Sequence, residues 1–164
     1  MAIFIGNFAI ISSMTLEFRE VTDENFEEFV ALEVSPDQKE NFYFRRTDPN
    51  LWSLAQMHIH KGSRIVAIYA DGMIVGGMFY NPDEGGKDAW LTRFMIDKRY
   101  QGKGYGRQAM LMLFDRVKAE NPDAARLGLS YEPHNKNAEK LYSSMGFKPS
   151  GEMMGDQVVV WKDF

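Results

Sequence analysis

Gln101-Gly102-Lys103-Gly104-Tyr105-Gly106-Arg107 places three alternating glycines and two cations directly before a stretch with helical periodicity. Glycine lets the backbone approach a ligand closely and adopt positive φ. The first amides of a new helix have no partner within it and point outward, and the helix dipole adds partial positive charge there. Such a turn can cradle a pyrophosphate with main-chain N–H groups, Lys103 and Arg107 adding charge. The same composition also suits an exposed loop that caps a helix. Two other phosphate motifs are excluded by residue type. A P-loop needs Ser or Thr after its Gly-Lys pair, and Gly104 follows here. A dinucleotide fingerprint needs glycine where Gln101 stands, within a βαβ setting that the preceding residues do not provide.

The surrounding pattern reads as one α/β domain with a mixed, mostly antiparallel sheet and about four helices. Alternation from Thr15 to Val21 predicts a first strand. Thr22 and Asp23 are caps for a helix over about Glu24–Leu32, broken by Val34-Ser35-Pro36-Asp37. A second helix is predicted over Leu51–His60. Strands Arg64–Tyr69 and Met73–Tyr80 flank the hairpin signal Asp71-Gly72, and Ala89–Ile96 follows as a third member of the meander. After the glycine turn, Met110, Leu113, Phe114 and Val117 repeat at helical spacing, until Asn121-Pro122 stops the helix. Leu127–Tyr131 is a short strand. Lys136–Met145 is a helix ended by Gly146. Phe147–Glu152 and Val158–Trp161 close the sheet.

Composition narrows the function classes. The 164 residues suit a single domain, and 45% hydrophobic content predicts a packed core. The absence of cysteine excludes disulfides, thiolate nucleophiles and cysteine-held zinc. His58, His60 and His134 are too few and scattered for a metal site, and His58 and His60 do not share a helical face. No metal is expected. A net charge of −4 lacks the basic excess of a duplex nucleic-acid binder and suits a cationic small molecule better. Residues 1–13 are apolar but far short of the roughly 20 residues a membrane span needs. They read as an extension before a domain over 14–164, either ahead of the true start or packing on a partner. A cytoplasmic protein fits these features.

Gln101-x-x-Gly104-x-Gly106 matches the signature Gln/Arg-x-x-Gly-x-Gly/Ala of the GNAT N-acetyltransferases. Asn135, Ala138, Leu141, Tyr142, Gly146 and Phe147 match the second cofactor motif of that superfamily, and the element order from Thr15 onward matches too. The chain therefore resembles GNAT enzymes over most of its length. The run Phe94-Met95-Ile96-Asp97, with Leu129-Ser130-Tyr131-Glu132-Pro133, is similar to the bacterial spermine/spermidine acetyltransferases.

The resemblance implies a sheet splayed between its fourth and fifth strands, acetyl-CoA as co-substrate, and a small amine, first of all a polyamine, as acceptor. Another amine would be an amino acid, an aminoglycoside-like drug or a protein N-terminus, and a non-catalytic acetyl-CoA-binding domain is a third possibility. A homodimer is common in the superfamily. The pantetheine arm is expected beside Phe94, Met95 and Ile96, and the pyrophosphate at Gln101, Gly102, Lys103, Gly104, Tyr105, Gly106 and Arg107. Asn135 and Ala138 are expected to position the cofactor, Asn135 also suiting a helix N-cap. Tyr142 stands where a phenol can protonate the departing thiolate, although a tyrosine there also suits the core. Several polyamine acetyltransferases carry a carboxylate where this chain has Thr92, beside Arg93. Glu132 is the candidate substitute, as base or amine ligand, and equally fits as a turn residue. Glu33 and Gln38 are candidates for amine recognition. Phe42, Tyr43 and Phe44 suit either a substrate wall or core.

Overall fold

Asp71 and Gly72 both take positive φ, 49° and 81°, as a two-residue hairpin loop requires. In the computed structural model, which describes residues 15–39, 48–83 and 86–164, this turn joins β2 (Arg64–Ala70) to β3 (Met73–Asn81). With β1 (Leu16–Glu20) on one side and β4 (Asp88–Ile96) on the other, they form an antiparallel meander. The full sheet has seven strands in the order β1-β2-β3-β4-β5-β7-β6. Here β5 is Arg126–Tyr131, β6 Lys148–Met154 and β7 Gln157–Asp163.

Side chains alternate across the sheet and build a core on each face. On β2, Val66, Ile68 and Ala70 join Met110, Leu113 and Val117 of α4 (Tyr105–Glu120) and Tyr142 of α5 (Lys136–Ser144). Ile65, Ala67 and Tyr69 face the other way, onto Phe29 of α1 (Phe26–Val30) and Leu54 of α3 (Pro49–Ile59). Burial on both faces explains why β2 and β3 read as continuous apolar runs rather than alternating ones.

Two expectations need correction. The first helix is shorter than predicted. Thr22 Oγ1 accepts from the Glu24 amide at 3.3 Å, and Asn25 Oδ1 accepts from the Thr22 amide at 2.8 Å. That reciprocal capping holds Asp23–Asn25 in a turn, and regular helix begins only at Phe26. The segment after Val34 does not simply break the chain. It forms a fifth helix, α2 (Pro36–Lys39), with Pro36 in the first position, where its missing N–H costs nothing. The predicted 1–13 extension and the Phe42, Tyr43 and Phe44 cluster lie outside the described residues.

The β4–β5 pair is parallel and short, running only from Asp88↔Arg126 to Leu91↔Leu129. Beyond it, β4 stays with β3 and β5 stays with β7. At the base of this divergence Trp90, Gly128 and Trp161 sit side by side on three strands. The indoles meet edge to face with centroids 5.3 Å apart. A Cβ on Gly128 would lie 2.4 Å from Trp161 Cζ3 and 2.6 Å from Trp90 Cζ3. Rigid rings leave it no room. Gly128→Ala is expected to destabilise the fold by about 1–3 kcal/mol, read as a lower midpoint in denaturant unfolding.

Candidate active site

Past Leu91, residues Arg93–Ile96 pair with β3 on one side and, among the described residues, with no strand on the other. The separation opens a cleft of about 1080 Å³. One wall is β4 and the start of α4; the opposite wall is the end of β5 with α5. Phe94, Met95 and Ile96 all line it.

The glycine turn sits at the mouth of this cleft. Gly104 occupies the N-cap position of α4 in the left-handed region, φ 84°, without a side-chain cap. A Cβ at Gly102 or Gly104 would meet open space. The first amide in this stretch to find a backbone acceptor is that of Gln108, which donates to Gly104 O at 3.2 Å. Among the described residues, those of Gly102 to Arg107 donate to no protein atom. Together with the helix dipole they form a donor set suited to a diphosphate. Gly102, Gly104, Tyr105 and Gly106 line the cleft.

Gln101 also lines it, and its side chain braces the turn. Nε2 donates to Ile96 O at 2.8 Å and to Gln38 Oε1 at 2.7 Å. This brings Gln38 to the cleft as well. Asp97 adds a second brace. Its buried carboxylate accepts from the Glu33 amide at 3.0 Å and from the Arg99 amide and guanidinium at 2.8–3.1 Å. Burial alone would raise this carboxyl, but the hydrogen bonds from Arg99 and the two amides outweigh that and hold it below the usual range.

Lys103, Arg107 and Glu33 are not drawn into the cleft lining. Lys103 Nζ stands 5.4 Å from the Tyr100 ring centroid, and Arg107 Nη1 donates to Ser144 Oγ at 3.1 Å. The exposed Glu33 carboxylate pairs with Lys98 at 2.5 Å and Lys39 at 3.9 Å. The Lys98 hydrogen bond and the two nearby charges lower its pKa.

On the facing wall, Asn135 Oδ1 accepts from the Ala138 amide at 3.1 Å and caps α5. Ala138, Leu141 and Tyr142 face the cleft from successive turns. Tyr142 packs between Tyr131 and Phe147, with centroids 5.9 and 5.6 Å away. Burial, and to a lesser extent Tyr131, push its phenol above the ordinary tyrosine value, so it stays protonated. Glu132 lines the same wall and accepts from Gln157 Nε2 at 3.3 Å.

Several lining residues carry no motif signal. Arg93, half-buried, donates to Ser53 Oγ at 3.0 Å and to Gln56 Oε1, and burial pushes its pKa down to about 10. A cation within an apolar strand was its only mark. Gln157 and Met154 come from the C-terminal hairpin, whose register no local pattern predicts.

A family model described as Acetyltransferase (GNAT) family matches residues 26–147. The chain belongs to the GNAT acetyltransferases. It is an acetyl-CoA-dependent N-acetyltransferase. This GNAT chain is 35% identical over 155 residues to the spermine/spermidine N(1)-acetyltransferase of Bacillus subtilis strain 168, covering 90% of this chain and 98% of the relative. Its fold is shared with the spermidine N-acetyltransferase of Vibrio cholerae, solved with CoA and spermine (TM-score 0.72, 17% identity, 90% of this chain and 95% of that one). It is also shared with the PaiA N-acetyltransferase of Thermoplasma acidophilum, solved with coenzyme A (TM-score 0.71, 16% identity, 92% and 100%). No helix among the described residues is long and apolar enough to cross a membrane.

Gly104→Val forces a β-branched residue to positive φ. It is expected to cost about 1–2 kcal/mol of stability and to weaken acetyl-CoA binding in a calorimetric titration. An unchanged dissociation constant would count against the turn as the cofactor cradle.

Proposed function

We propose that this GNAT domain acetylates a primary amine of a polyamine such as spermidine or spermine, in the cytoplasm, by direct attack within a ternary complex. The carrying observation is that, among the described residues, the unpaired edge of β4 leads into the unpartnered amides of Gly102–Arg107, in a cleft that Tyr142 also lines. The extended backbone of Phe94–Ile96 suits a pantetheine arm lying alongside as an added strand. The amides after Gln101 suit its diphosphate. The 35% identity to the Bacillus enzyme along nearly its whole length supports a polyamine acceptor.

The chemistry asks for little covalent help once the amine is neutral and aligned. The amine nitrogen forms a bond to the thioester carbonyl carbon, the carbon–sulfur bond breaks, the leaving thiolate takes a proton from the Tyr142 hydroxyl, and the proton shed by the acylated nitrogen passes to solvent, from which the phenolate is reprotonated. A phenol that burial keeps protonated suits that task. Glu132 holds the acceptor ammonium near the thioester and relays its proton to solvent. Glu132 is the only carboxylate among the described cleft-lining residues, and Thr92 cannot serve as a base.

A second reading keeps the cofactor and changes the acceptor. Arg93 and Lys61 both line the cleft, and neither cation favours a polycation. An amine that also bears a carboxylate, such as an amino acid, would suit them. Thiol release measured against a panel of polyamines and amino acids decides between the two. Turnover confined to carboxylate-bearing amines would displace the polyamine reading.

Tyr142→Phe is expected to lower kcat about 100-fold or more while leaving acetyl-CoA affinity within about threefold. Because the phenol of Tyr142 lies above its ordinary value of about 10, the wild-type rate should not fall between neutrality and that pH. A descending limb below it would argue against Tyr142 as the acid.

A further inference from the structure

We infer that Gln157, oriented by Ser130, is a positioning residue that aims the Glu132 carboxylate at the acceptor amine, so that the β6–β7 hairpin forms part of the acceptor site. This rests on the reading in which Glu132 holds that amine. Ser130 Oγ donates to Gln157 Oε1 at 2.6 Å, and Gln157 Nε2 donates to Glu132 Oε1 at 3.3 Å. A serine hydroxyl can donate or accept, but a carboxylate oxygen only accepts. Glu132 therefore fixes which end of the Gln157 amide faces it, and the Ser130 proton is directed to the other end. The chain has one polarity.

All three side chains line the cleft. Ser130 and Glu132 lie on β5 and just past its end, beyond Leu129, where β4 has already departed. Gln157 opens β7 directly after the turn at Gly155, and pairs in register with Met154, another lining residue. Among the described residues Glu132 Oε2 has no partner. One oxygen of this cleft-lining carboxylate is held by Gln157, which leaves the other for an ammonium. An untethered glutamate on a turn would have to give up its rotamer freedom each time an ammonium bound. The Ser130–Gln157 pair removes part of that cost in advance. Acceptor recognition thus draws on a hairpin remote in sequence from the helices of the N-terminal third.

The test is steady-state thiol release with spermidine and acetyl-CoA varied in turn. Gln157→Leu is expected to raise KM for spermidine about three- to tenfold, leaving KM for acetyl-CoA and the melting temperature unchanged. Glu132→Gln should raise it at least as much, and the double variant should be no worse than Glu132→Gln alone. Ser130→Ala should shift KM the same way by less, and Ser130→Thr, which keeps the hydroxyl, should restore it. A wild-type spermidine KM in Gln157→Leu, beside an impaired Glu132→Gln, overturns the positioning role and leaves Glu132 as the amine ligand. An unimpaired Glu132→Gln overturns both.

Discussion

Everything in this molecule depends on the β4–β5 ladder ending at Leu91 and Leu129. A parallel pair in the middle of a sheet would ordinarily continue, because each unpaired N–H and C=O that is taken from water is costly. Here the neighbouring strands keep the divergence open. β3 holds β4 through Ile96, and β7 holds β5 through Tyr131, so beyond Leu91 and Leu129 each strand stays with its outer partner as the two halves of the sheet part. The cleft is the residue of two satisfied ladders rather than a gap in one. Its β4 edge offers the hydrogen-bonding pattern of a missing strand, which is why an extended, amide-containing chain is its natural occupant.

The same divergence fixes where the helices must start. α4 leaves from the end of β4 and α5 from the end of β5, so both N-termini flank the opening. The turn into α4 has no side-chain cap of its own. Its shape is imposed from behind, by Gln101 bonded to Ile96 O and by Asp97 bonded to Arg99 and to the Glu33 amide. Polar side chains on the protein side hold the backbone still. The amides on the cleft side are thereby kept vacant and preorganised for an anion. Asn135 does the opposite at α5: it consumes the Ala138 amide and leaves that wall to side-chain chemistry.

Features that depend on a few consecutive residues were legible in the sequence. The Asp71-Gly72 hairpin, the glycine turn, the apolar stripe of α4 and the Asn135–Gly146 helix all follow from local rules of φ, capping and periodicity. What escaped was set by longer-range pairing. Pro36 reads as a breaker by propensity, yet begins a short helix because Ser35 O accepts from the Gln38 and Lys39 amides. Arg93 shares a wall with Ser53 and Gln56 only once α3 lies across the sheet. Gln157 meets Glu132 because β7 inserts between β5 and β6, an order that no run of residues encodes. The motif positions fared unevenly for a related reason. Backbone donors point where the helix start dictates, whereas the long side chains of Lys103 and Arg107 turn to Tyr100 and Ser144 instead.

The stack of Trp90, Gly128 and Trp161 ties three strands into one packing unit. The three positions cannot drift independently through evolution. A larger residue at the middle one is compatible with the fold only in a chain that has already traded an indole for something smaller on one side. Sequence change there should therefore arrive as compensated sets. The angle at which β4 and β5 part would be reset with each of them, and the bore of the opening with it.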